Sequence, residues 1–233
     1  MQVRIEQVAM GAALPPTDAA FASGEASLVV VETEQRPTVL GLVAAGRMVP
    51  AAGRVLLDGE EDRRELRRRV ALVDAPRASD PDPAARVRGV IAEELLFAGL
   101  PGHPRGVRGW ATQLGVADAI DATVADLAPA RRTRLLAELA ILRDGVEAVV
   151  LACPDRHGGD PRDWWSLAGS LADRGFAVLA IASPASERAL RSAGELDRVG
   201  ADGSPHGVPR TTPAHSPSTR DRSPASASQE VAA

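Results

Sequence analysis

The chain contains no lysine and no tyrosine, a single cysteine, and only three phenylalanines and three tryptophans in 233 residues. Without lysine, all 27 basic side chains are arginines, so a glycine-rich phosphate loop of the lysine-ended kind cannot be completed. One cysteine, Cys153, excludes an internal disulfide and fits a reducing cytosol. No apolar run approaches the roughly 20 residues that span a bilayer. The opening Met1-Gln2-Val3-Arg4-Ile5-Glu6 alternates apolar and polar residues and lacks a signal peptide's apolar core. A cytoplasmic protein is expected, one that meets a membrane only through a partner. Net charge is −4 and the arginines are spread along the chain, which excludes a basic footprint for nucleic acid. Arginine used to the exclusion of lysine reads as compositional bias.

What is present suits one globular domain with a tail. Hydrophobic residues make up 45% of the sequence. The large ones fall almost entirely in residues 1–199, whereas 200–233 is rich in Ser, Pro, Thr and Ala and cannot bury enough surface to offset its ordering entropy. Ser27-Leu28-Val29-Val30-Val31, Val70 to Val73, Ala148-Val149-Val150-Leu151-Ala152 and Ala177 to Ala182 are short continuous apolar runs, the mark of strands covered on both faces. Arg54 to Gly59 reads as a strand into a turn. Helical spacing is expected from Pro37 to Arg47, from Val90 to Ala98, from Arg131 to Leu142 and from Pro161 to Arg174. The last of these lies between two apolar strands and makes a βαβ unit. The class is α/β, a mostly parallel sheet flanked by helices, with a helical insert over about 85–145.

Gly24-Glu25, Ala45-Gly46, Pro50-Ala51-Ala52-Gly53 and Leu57-Asp58-Gly59 stand at ungapped spacings that resemble the nucleotide-binding subunit of ABC transporters over most of residues 1–190. The resemblance implies a P-loop NTPase-like cassette, and it places the phosphate loop on Val31-Glu32-Thr33-Glu34-Gln35-Arg36-Pro37-Thr38-Val39. There the expected glycines fall on Val31, Glu34 and Arg36, and Pro37 takes the lysine position, removing a cation and an N–H donor. Thr38 keeps a hydroxyl at the Mg²⁺ position. Arg36 is the one side chain that could stand in for lysine, although its planar fork differs from a point charge.

The remaining motifs depart in the same way. Ala75 occupies the glutamine slot after the strand Val70 to Val73, and Leu127-Ala128-Pro129-Ala130-Arg131 replaces Leu-Ser-Gly-Gly-Gln. Ala152-Cys153-Pro154 replaces Asp-Glu-Pro, and Ser183 takes the place of the switch histidine. Nothing near Ala9 to Pro16 offers an aromatic platform for adenine. Glu93, in Ile91-Ala92-Glu93-Glu94-Leu95, matches the family's helix-start glutamate, and Asp160-Pro161 resembles its D-loop. The resemblance therefore implies a degenerate cassette, inactive as an ATPase, with no cofactor expected beyond weak Mg·ATP; its alternative is a working ATPase subunit with an atypical phosphate loop that binds nucleotide through Arg36 and Thr38. Its partner would be an integral membrane protein or another cassette subunit, in a homo- or heterodimer, with residues 90–142 nearest the membrane component.

Three local constellations carry other readings. Cys153-Pro154-Asp155-Arg156-His157-Gly158-Gly159-Asp160 follows a central strand, where α/β folds place their sites. A Cys/His nucleophilic pair or an Asp155/His157/Asp160 metal set can be drawn there, giving an unrelated α/β enzyme; Cys153 as a small buried hydrophobe is the plainer reading. Trp164 beside Trp165 is expected to be a partner anchor, since neighbours on a helix diverge by about 100° and at most one should be fully buried. Arg63-Arg64-Glu65-Leu66-Arg67-Arg68-Arg69 follows Glu60, Glu61 and Asp62 and reads as a mixed-charge solvated helix. The interface residues expected are thus Asp160, Trp164 and Glu93.

Overall fold

Strands covered on both faces need apolar side chains at every position; three segments of this chain meet that demand in one parallel sheet, and a fourth, with Ser27 partly buried in it, completes the sheet. The computed structural model describes residues 1–32 and 36–196. The tail expected over 200–233 lies outside the described residues, as do Thr33, Glu34 and Gln35 of the expected phosphate loop.

The elements run β1 (Gln2–Ala9), β2 (Thr17–Ala22), β3 (Ala26–Val30), α1 (Arg36–Ala44), β4 (Ala52–Leu57), α2 (Arg63–Arg69), β5 (Val70–Val73), α3 (Val87–Phe97), α4 (Pro104–Gln113), α5 (Pro129–Ala140), β6 (Ala148–Ala152), α6 (Pro161–Asp173), β7 (Ala177–Ala182) and α7 (Pro184–Ser192). Two 3₁₀ turns, Ala117–Ala119 and Val124–Asp126, lie between α4 and α5. The parallel sheet has the order β3-β7-β6-β5, and β1 pairs with β2 and β4 in a separate antiparallel sheet. Every residue of β5, β6 and β7 is buried.

The pleat divides those strands between two cores. Val29, Leu72, Val150 and Ile181 join a cluster with Val3, Ile5 and Phe21 of the antiparallel sheet and Leu40 and Val43 of α1. Leu28, Val73, Leu151 and Val178 face the other way, into a cluster with Ile91 and Leu95 of α3, Leu135 and Leu139 of α5, and Leu171 of α6. The close fit of α1 follows from Gly41, where a Cβ would stand 2.9 Å from Leu72 Cδ1. Helices α4, α5, α6 and α7 each carry proline in the first turn, where its missing N–H costs nothing.

The helices between β5 and β6 occupy the stretch expected as a helical insert. No described helix is long and apolar enough to cross a membrane. One packing expectation is corrected. Trp164 and Trp165 are both buried, at 3% and 5% exposure, with rings edge-to-face at 6.2 Å. Their 100° divergence turns one toward α5 and the sheet and the other toward the chain after α7, where Trp165 Nε1 donates to the Glu195 carbonyl at 3.4 Å. Packing on two sides of α6 hides both rings.

Candidate functional site

Parallel strands deliver their following loops to one end of the sheet, and this end carries most of the buried polar chemistry of the described chain. Asp74 directly follows β5, Cys153 follows β6 and Ser183 follows β7. Asp74 is 3% exposed and adopts a positive φ of 53°. Its Oδ1 accepts from Arg132 Nη2 and Arg156 Nη2, both at 2.7 Å, and its Oδ2 accepts from Arg132 Nε at 3.2 Å. Arg132 comes from α5 and is 4% exposed; Arg156 comes from the loop after β6 and also reaches Asp80 at 3.3 Å.

His157 completes the group. Its Nε2 lies 2.8 Å from Arg156 Nε and 3.3 Å from Asp74 Oδ2. Burial, with Arg132 and Arg156 nearby, lowers its pKa against the opposing pull of Asp74, so the neutral ring is favoured and Nε2 accepts from Arg156. The carboxylate that ends β5 is thus shared by the helical region and the β6–α6 loop.

A second carboxylate ties β6 to β7. Asp155 Oδ2 accepts from the Ser183 N–H at 3.0 Å, Ser183 Oγ at 2.6 Å and Ser186 Oγ at 2.7 Å. Ser183 caps α7, so Asp155 places negative charge at the start of that helix, where the macrodipole favours it. The Ser183 position, matched by resemblance to a switch histidine, is spent on holding a helix end.

The surroundings of Cys153 do not support a catalytic thiol. The residue has a positive φ of 55°, and burial, with Asp155 adding to it, pushes its thiol pKa up to about 11. A nucleophilic cysteine requires the opposite shift. Alkylation by iodoacetamide at pH 8 is expected to be slower than for free cysteine by on the order of 10²-fold, from the smaller thiolate fraction. Its rate should rise as pH climbs toward 11; a rate that plateaus below pH 8 would contradict the burial argument. The metal set drawn from Asp155, His157 and Asp160 is dispersed: they face Ser183, Arg156 and Arg162 respectively. No metal-holding group of three ligands occurs among the described residues.

Thr38 lies half-buried in the first turn of α1, and Pro37 before it is buried. Arg36 opens α1, but its side chain lies outside the described structure. Glu93 is exposed on α3. Asp160 caps α6 by accepting from Arg162 N at 2.9 Å, and its bonds to the Arg162 side chain lower its pKa to about 2. Trp164, expected as an anchor, is buried and cannot serve as one in this conformation. These residues are divided among α1, α3 and α6, and among their described side chains none bonds to the network around Asp74.

The residues that sequence reading missed are Asp74, Arg132 and Arg156. A signal for Arg132 was present. Arg132, Leu135, Leu136 and Leu139 stand at i, i+3, i+4 and i+7 on α5, so the arginine sits on the apolar stripe. A buried arginine calls for a buried carboxylate, and Asp74 directly follows an all-apolar strand.

No protein-family model matches the sequence, and no curated protein does so. Solved structures do. The chain is similar to MJ1267, an ATP-binding cassette of an ABC transporter, at 16% identity and a TM-score of 0.56, over 78% of this chain and 81% of that one. It is similar to CbiO1 of Clostridium perfringens, part of the ABC transporter complex CbiONQ, at 17% identity and 0.55, over 78% and 77%. An ATP-binding subunit of an ABC transporter matches at 13% identity and 0.56, over 85% and 98%. The fold is that of an ABC transporter ATP-binding cassette.

Proposed function

We propose that this chain is a degenerate ATP-binding cassette, inert as an ATPase, that acts as a structural or regulatory partner of a membrane transport protein or of an active cassette. The observation that carries this reading is the commitment of Asp74 and Asp155 to partners within the chain. At the end of the sheet where a cassette would hold Mg²⁺ and polarise water, Asp74 is bonded to Arg132 and Arg156, and Asp155 to Ser183 and Ser186. Pro37 in place of a lysine and Cys153 in place of a carboxylate support it from the sequence side.

Docking through the helical region agrees with two apolar residues that α3 leaves outside, Leu96 at 67% and Phe97 at 65% exposure. In this reading the protein works at the cytoplasmic face of the membrane, as a homo- or heterodimer, and needs no cofactor. Asp160 and Glu93, both reachable from solvent, remain its proposed interface residues.

Calorimetry with Mg·ATP at millimolar concentration, with thermal shift alongside, tests it. The expected outcome is no saturable heat and no stabilisation. Binding tighter than about 0.1 mM, roughly 5.5 kcal/mol, and lost on Thr38→Ala, would replace this reading with that of a working nucleotide-binding subunit.

A further inference from the structure

Beside the Asp74 network the surface opens into a cavity of about 510 Å³, within the range of about 300–1,000 Å³ in which small-molecule sites fall. Its apolar walls include Pro81, Leu127 and Pro129, and its polar lining is Arg132, Arg156, His157 and Asp80. We propose that this cavity binds a small organic anion, an oxyanion head on an apolar body, at Arg156 and Arg132, with Asp80 holding the place of that head when the site is free. The proposal stands on the cavity's own geometry and is independent of whether the chain binds nucleotide.

Three features support this assignment. Each guanidinium carries five N–H donors. The hydrogen bonds of the described structure use three on Arg132, to Asp74 and the Val124 carbonyl, and three on Arg156, to Asp74, Asp80 and His157. Two donors remain on each of two neighbouring guanidiniums, and arginine forks match carboxylate and phosphate geometry. Second, the partners of Arg156 are unequal. Its bond to buried Asp74 is 2.7 Å, within the charge-assisted range, whereas its contact with partly exposed Asp80 is 3.3 Å and longer than that range. Asp80 is therefore the partner an incoming anion can displace without uncovering a buried charge. Third, the walls near the arginines are apolar, so an anion with a hydrocarbon body gains contact that inorganic phosphate does not.

The test uses the full chain and three probes: benzoate, phenyl phosphate and neutral benzyl alcohol. Titration followed by ¹H–¹⁵N spectra should give saturable shifts in Val124, Ala125, Leu127, Arg156 and His157 with one or both anions, and none with benzyl alcohol. The stronger anion tells whether the head is a carboxylate or a phosphate. Asp80→Asn should tighten anion binding about two- to five-fold, the change expected when a partly exposed ion pair no longer competes. Ala125→Trp adds an indole to the cavity lining from an exposed position, leaves the arginines in the sequence, and should abolish the shifts at unchanged melting temperature. Equal saturable binding of benzyl alcohol, retained anion binding in Ala125→Trp, weaker binding in Asp80→Asn, or no saturation by either anion would each overturn the proposal.

Discussion

Replacing Asp74 with alanine should cost about 3–5 kcal/mol of stability, because it leaves the Arg132 guanidinium buried without its carboxylate. In a chain of this size that corresponds to a melting temperature lower by about 6–20 °C. Arg132 is 4% exposed and comes from the first turn of α5, on the stripe that packs on the sheet, so it cannot turn out to water without withdrawing α5. Arg156, at 20% side-chain exposure, can keep Asp80 and reach solvent. The decisive comparison is the double variant Asp74→Leu with Arg132→Met. A buried ion pair exchanged for apolar residues of similar volume is often neutral or better, so this variant should recover most of the loss. Urea unfolding of wild type, Asp74→Ala and the double variant measures both terms. A loss below about 1 kcal/mol in Asp74→Ala would mean that the guanidinium is hydrated, contrary to its burial.

Gly53→Ala should be nearly as damaging, at about 2–4 kcal/mol. Gly53 has a φ of +77°, and a Cβ there would stand 2.3 Å from the Gln7 carbonyl oxygen. The pressure comes from the partner strand: β1 changes register against β4 between Glu6 and Ala9, and Gln7 itself has a positive φ of 48°. The irregularity pushes the Gln7 carbonyl onto β4, and only a residue without a side chain can pass beneath it. Gly59→Ala is the control, since its φ of +95° is also positive but no atom lies within 4 Å of the added carbon. It should cost only the backbone term of about 1–2 kcal/mol. Equal losses at the two positions would remove the steric explanation.

That glycine shows why so much of the fold was legible. The landmarks that suggested the cassette are positions where covalent geometry leaves little choice. Gly53 passes under a carbonyl, and Gly46, in the turn after α1, is where a Cβ would meet the Arg63 carbonyl and the Leu66 side chain at 2.8 Å. Asp58 accepts from the Gln2 N–H at 2.7 Å in the turn after β4. These needs belong to the chain path and are independent of nucleotide. Strands β5, β6 and β7 were readable for a related reason, since burial on both faces leaves no polar position to blur the run.

The site was much less readable. Its members lie up to 82 residues apart, as with Arg156 and Asp74, and their meeting depends on strand order and helix packing, which no local pattern encodes. Pairing Arg132 with Asp74 would have required knowing that α5 lies over the end of β5. The tryptophan expectation failed because it treated α6 as having one buried face, whereas the chain after α7 covers a second.

The shared carboxylate at Asp74 has a consequence for the history open to this chain. The end of the sheet holds two arginines bonded to one buried aspartate, and any sequence path that reshapes it has to take that group apart one codon at a time. Losing Asp74 or Arg132 first strands the other's buried charge at a cost of about 3–5 kcal/mol, against a total reserve of about 5–15 kcal/mol. Such intermediates would be selected against as poorly folded before any gain in function could favour them. The network therefore acts as a ratchet: once in place, it is hard to dismantle, whichever of the two substitutions comes first.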